Sequence, residues 1–158
     1  FHMTMSQLFW EFDGRISRKL FILSSLFLLF LGGGLSLFLI PAFGLTIEDF
    51  KGAPTLKLLT LSMMVNALFF WPTIALGYKR MHDLGYSGKF YGFLNLAILL
   101  LYVFAAFGQF SENPIENKNF VGFSNVLNLV FTVVFLALVF VRGTKGSNSY
   151  GTDMTDAY

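Results

Sequence analysis

Apolar positions gather into four long blocks separated by short polar segments. Uncharged stretches run from about Phe21 to Phe43, Leu58 to Tyr78, Phe90 to Phe110 and Phe120 to Val141, each just over 20 residues long. At about 1.5 Å per residue, a helix of that length covers roughly 30 Å, the hydrocarbon thickness of a bilayer. A single segment in lipid satisfies its backbone groups only as a helix, and no block shows the alternation of a barrel strand. The pattern predicts an all-α integral membrane protein built as a four-transmembrane-helix bundle.

Ahead of the first block, Leu8, Phe9 and Phe12 fall on one face at helical spacing, and Trp10 suits headgroup depth. This predicts a short N-terminal interfacial helix ending near Gly14. Residues 1–4, with Phe1 and His2 ahead of Met3, read as a remnant around the start. Residues 5–153 read as one membrane domain and 154–158 as a tail. The first block is too long for the core of a cleaved signal, and no small-residue cleavage site follows it promptly. The two halves do not resemble each other, so an inverted-repeat transporter is not expected.

The charges between the blocks give a side. Arg15, Arg18, Lys19, Lys79, Arg80, Lys89, Arg142 and Lys145 flank one set of block ends, against Lys51, Lys57 and Lys118 on the other. The excess of basic residues predicts both termini and the second loop in the cytoplasm of a bacterial inner-membrane protein. Glu48, Asp49, Glu112 and Glu116 lie on the other side and add little to that choice.

Composition agrees with a lipid environment. Charged residues make up 13%, about half the usual share, while Phe occurs 21 times and the mean hydropathy is +0.65. The absence of cysteine excludes disulfides, thiolate metal sites and cysteine nucleophiles. A net charge of +2 is too small to suggest nucleic acid. No metal-ligand pattern or cofactor motif is visible.

No Asp, Glu, Lys, Arg or His falls inside the four blocks, which argues against a proton relay. Ser24, Ser25, Asn66, Thr73, Asn95, Asn125, Asn128 and Thr132 suit hydrogen bonds between helices better than a pore lined by Asn66, Asn95 and Asn128. Gly32 and Ser36 form a small-xxx-small pair within the Gly32-Gly33-Gly34 region, suited to close packing in the monomer or across a dimer. Pro72 should kink the second helix.

The chemistry concentrates on the predicted cytoplasmic face. One segment is Gly14-Arg15-Ile16-Ser17-Arg18-Lys19. The second is the tight link from Lys79 to Lys89, with Arg80, His82, Asp83, Gly85, Ser87 and Gly88. The third follows the last block and carries Asn148, Tyr150, Gly151 and Asp153. Three uses suit this set. Asp83 could pair with Arg15, Arg18 or Arg80 as a structural lock. Arg15, Arg18 and Arg80 could bind an anion such as a phospholipid head, with His82, Asp83, Ser87, Asn148 and Tyr150 around it and Gly14, Gly85, Gly88 and Gly151 shaping the loops. His82 could act as a general base, but adjacent helix residues such as His82 and Asp83 do not face each other, and no nucleophile or second carboxylate supports catalysis. The lock is favoured, anion binding follows, and catalysis is third.

Taken together, the three segments resemble the family called domain of unknown function 805. Phe12-Asp13-Gly14-Arg15-Ile16-Ser17-Arg18 is similar to its Phe-x-Gly-Arg-x-Ser-Arg pattern. Lys79-Arg80-Met81-His82-Asp83-Leu84-Gly85-Tyr86-Ser87-Gly88 is similar to its Arg-Arg-x-His-Asp-x-Gly-x-Ser-Gly loop, and Gly146-Ser147-Asn148-Ser149-Tyr150-Gly151 to its closing motif. Lys79 stands for the first Arg, which weakens bidentate recognition there. Lys89 and Phe90 stand where a Trp usually follows, Leu20 replaces a common Glu, and Ser149, Thr152 and Met154 replace the closing Arg and prolines. The resemblance implies a small inner-membrane protein and carries no biochemical activity with it. The residues favour a non-enzymatic protein with a polar cap that organises the helices and binds an anionic lipid, small ligand or partner. An oligomeric transporter or channel, and a membrane enzyme on phosphorylated or lipid-linked substrates, are the alternatives.

Overall fold

The computed structural model describes residues 3–51, 55–109 and 118–152. Phe1 and His2, most of the third loop with Phe110, Glu112 and Glu116, and the tail with Asp153 and Asp156 lie outside the described residues.

Among the described residues five α-helices follow one another: α1 (Met5–Trp10), α2 (Arg18–Leu39), α3 (Leu56–Asp83), α4 (Lys89–Gln109) and α5 (Lys118–Phe140). Local capping sets where they begin. The Thr4 hydroxyl accepts from the Gln7 amide and the Gln7 side chain accepts from Thr4 N–H, a reciprocal box that starts α1. Ser17 and Thr55 start α2 and α3 with a single cap each, their hydroxyls accepting from the amides of Leu20 and Leu58. A 3₁₀ turn, Ile47–Phe50, interrupts the α2–α3 loop. There the amide and hydroxyl of Thr46 bond Asp49 and hold its carboxyl below the usual value.

Several ends differ from the apolar blocks. α1 stops at Trp10, so Phe12 follows it in extended chain. α2 stops at Leu39 because Pro41 cannot continue a helix. α3 runs through Pro72 and reaches Asp83, well past Tyr78. Charge ends an apolar stretch, but it does not end a helix whose charged side chains find partners inside the protein. α3 closes on Gly85 at φ +83°, where Tyr86 N–H bonds Met81 C=O at 2.9 Å and Gly85 N–H bonds His82 C=O at 3.0 Å. That paired pattern needs a left-handed residue, hence glycine.

α3 is the axis of the fold and packs against α1, α2 and α4. Gly32 lets α2 approach α3, since a Cβ there would already touch the Phe69 ring at 3.4 Å. Gly33 and Gly34 have nothing within 4 Å. The α3–α4 contact is tighter. A Cβ on Gly77 would sit 1.9 Å from the Tyr91 ring, and one on Gly88 would sit 2.2 Å from Tyr78. Each tyrosine therefore lies flush on a glycine of the facing segment.

The polar residues of these helices bond mostly along their own helix. Asn66, Asn95 and Asn128 donate to the carbonyls of Ser62, Tyr91 and Ser124, and Ser36 donates to Gly32. Asn66 and Asn95 share a small cavity between α3 and α4, which Asn128 does not line.

The burial pattern is inverted relative to a protein in water. Phe30 and Phe38 are 75% and 79% exposed, whereas Arg15, Lys79, Arg80 and Asp83 are at most 3% exposed. Three helical stretches, Arg18–Leu39, Lys57–Asp83 and Gly122–Phe140, are long and apolar enough to cross a membrane, by length and composition. The apolar stretch Lys89–Phe104 in α4 is shorter.

Candidate functional site

The start of α2, the end of α3 and the segment after α5 meet at one end of the bundle. Asp83 is the centre. Its Oδ1 accepts from Arg15 Nη2 at 2.9 Å and from Arg15 Nε at 3.1 Å, and its Oδ2 accepts from Arg80 Nη1. The chain crosses directly over this carboxylate at Gly143, where a Cβ would lie 2.0 Å from Oδ2. The main chain of Asp83 is held as well, its carbonyl accepting from the Thr144 amide at 2.8 Å and hydroxyl at 3.0 Å.

Arg15 has five N–H groups and all five are directed at acceptors. Two meet Asp83. The others meet the carbonyls of Thr144 and Gly146, both at 2.7 Å, and of Gly151 at 3.4 Å. Arg80 donates through Nε to Leu138 C=O at 2.9 Å and through Nη2 to Val141 C=O. It thereby ties the otherwise unpaired carbonyls at the C-terminus of α5 to α3. Among the described residues, no buried side-chain nitrogen or oxygen lacks a partner.

His82 sits beside this centre. Its Nδ1 lies 3.1 Å from Gly14 C=O, so that nitrogen carries the proton and donates. Tyr150 stacks on the ring at 4.0 Å and 6°, and Tyr78 meets it edge-on. Asn148 donates to His82 C=O at 2.9 Å, while its Oδ1 accepts from the Tyr150 amide at 2.9 Å. Asn148 and Gly151 exchange two backbone hydrogen bonds, closing a turn that brings Tyr150 onto His82.

The structure thus brings together six of the sequence candidates: Arg15, Arg80, His82, Asp83, Asn148 and Tyr150. Arg18 stands apart on the exposed surface, with Nη1 3.4 Å from Phe140 C=O. Ser87 is exposed, and its hydroxyl accepts from the Lys89 amide at the start of α4. Gly14 and Gly151 supply carbonyls to His82 and Arg15. Gly85 ends α3, and Gly88 seats Tyr78.

Two participants escape sequence reasoning. Thr144 contributes main-chain and side-chain bonds to both Arg15 and Asp83, and nothing in its neighbourhood of small polar residues distinguishes it. Lys79 is fully buried and bonds the α1 segment rather than Asp83. Its Nζ donates to Gln7 C=O at 2.6 Å and to Glu11 C=O, while Trp71 Nε1 donates to Trp10 C=O at 3.1 Å. Together they hold the C-terminal end of α1, and Phe12 lies between Trp71 and Tyr78 at 4.9 and 5.0 Å. No group of three metal-ligating side chains occurs among the described residues.

No solved structure matches the chain. The sequence is 33% identical over 154 residues to the Uncharacterized protein YiiR of Escherichia coli strain K12, covering 98% of this chain and 92% of that protein. The YiiR of Escherichia coli O157:H7 matches to the same extent. Residues 9–152 match the family described as "Protein of unknown function (DUF805)". That span takes in all three segments joined at Asp83, and the chain belongs to the DUF805 family.

Proposed function

We propose that this is a non-catalytic protein of the bacterial cytoplasmic membrane, with α2, α3, α4 and α5 all crossing the bilayer and both termini in the cytoplasm. On this reading α1 lies at the interface, with Trp10 turned outward. The polar end is an internal clamp that fixes how the four spans meet. The five engaged N–H groups of Arg15 carry the proposal, because an arginine fully occupied by the protein's own acceptors has none to offer a ligand. The eight-to-three distribution of basic residues supports the orientation. α4 has 21 residues from Lys89 to Gln109, enough for a span.

The chain has no cysteine, so single introduced cysteines report on sides directly. Ser87→Cys and Ser149→Cys should react with an impermeant maleimide only from the cytoplasmic side, and Glu48→Cys only from the other. Labelling of Ser87→Cys and Glu48→Cys from the same side defeats the topology. For the clamp, Asp83→Asn leaves two buried guanidiniums facing each other without a counter-charge. It should cost about 3–5 kcal/mol of stability, read as earlier melting in detergent. Melting at the wild-type temperature removes the clamp from consideration.

A further inference from the structure

Beside the clamp, α2, α3 and α5 enclose a groove of about 710 Å³, within the roughly 300–1,000 Å³ range typical of small-molecule sites. Its walls include Ile22, Leu29 and Gly33 of α2, Phe69 of α3, and Phe135 and Val139 of α5. Leu29 lines it and is nevertheless 66% exposed, so the groove opens sideways, toward lipid in a membrane. Along α2 the lining reaches from Phe21 to Ser36. At about 1.5 Å per residue this exceeds 20 Å, more than the roughly 15 Å depth of one leaflet.

The end of this groove nearest the clamp is positively charged. Arg18 precedes Ile22 by one helical turn and so stands on the same stripe of α2. Lys19 is its neighbour, and Arg142 follows the groove residue Val139 by three positions. All three are exposed, unlike Arg15 and Arg80. Arg18 also reaches across to Phe140 C=O and so spans the groove's end from α2 to α5. The N-terminus of α2 adds the positive end of its dipole, while the opposing carbonyls of α5 are already held by Arg80.

We infer that this is a site for an anionic phospholipid, with one acyl chain in the α2–α3–α5 groove and the phosphate at Arg18, Lys19 and Arg142. The inference rests on the membrane reading above, but not on the clamp. An apolar trough capped by three exposed cations is complementary to an amphiphile with a negative head, and a zwitterionic lipid gains less from those cations. The site lies outside the Arg15–Asp83–Arg80 centre, whose donors are engaged.

The test is native mass spectrometry of the full chain in mild detergent, supplemented with dioleoylphosphatidylglycerol or dioleoylphosphatidylcholine. Wild type should retain the anionic lipid at least about tenfold over the zwitterionic one. Replacing the three cations together (Arg18→Gln, Lys19→Gln and Arg142→Gln) should bring the two lipids to equal retention. Gly33→Leu projects into the groove from a position with no neighbour within 4 Å, so it should fill the trough without disturbing the helix, and retention of both lipids should fall. Equal retention of both lipids by wild type, or wild-type retention by Gly33→Leu, overturns the site. Either result alongside an early-melting Asp83→Asn sinks the lipid site alone and leaves the clamp standing.

Discussion

Asp83 is pressed between two guanidiniums and the backbone of Gly143, and each contact limits what that position tolerates. Any Cβ at Gly143 would overlap Oδ2, so the carboxylate or the crossing chain would have to move. Gly143→Ala should therefore destabilise the protein by about 1–3 kcal/mol, measured by melting in detergent, although it removes no hydrogen-bonding group. The pairing of Asp83 with an arginine is legible in the sequence, because a carboxylate among basic residues at one face has few other uses. Which arginines it takes is not legible. Arg15, Arg18 and Arg80 are alike in type and in distance from the helix ends. Only the three-dimensional course of the 143–151 segment, with its carbonyls turned toward Arg15, separates the buried Arg15 from the exposed Arg18.

Helices α2 to α5 coincide with the four apolar blocks of the sequence, because an uncharged run of about 20 residues pairs its own backbone groups only as a helix where water is excluded. Their ends are less visible, and α3 shows why. Lys79, Arg80, His82 and Asp83 look like a loop from their charge, yet they form the last turn of a helix because every one of them has a partner from another segment. Lys79 in particular reaches back to the end of α1, which no local pattern announces. Helix α1 has only six residues, too few to hold itself together in water. Lys79→Met removes the cation that holds its last carbonyls. The expected outcome is faster protease cleavage of residues 4–12 with α2–α5 left intact. Cleavage at the wild-type rate would mean that Phe12 and Trp71 suffice to dock it.

At the scale of the whole molecule, one end is polar, charged and buried, and the sides are apolar and exposed. The helices form a bundle, and the contacts of Asp83 join three segments at one end of it. A chain stopped after Arg142 keeps every apolar helix but loses the carbonyls of Thr144, Gly146 and Gly151 from Arg15, and loses Asn148 and Tyr150 from His82. It should still insert, and it should lose about 2–5 kcal/mol of stability, read as a lower melting temperature than full-length protein. A truncated form melting with full-length protein would mean that Asp83 alone neutralises Arg15.

Three of the five donor contacts of Arg15 go to carbonyls made much later in synthesis, more than 120 positions after it. During synthesis the early arginine therefore waits with part of its donor set open to water or lipid heads. Synthesis through Gly151 closes it. A product ended before Thr144 leaves the other three donors of Arg15 without these carbonyls, although Asp83 still neutralises its charge.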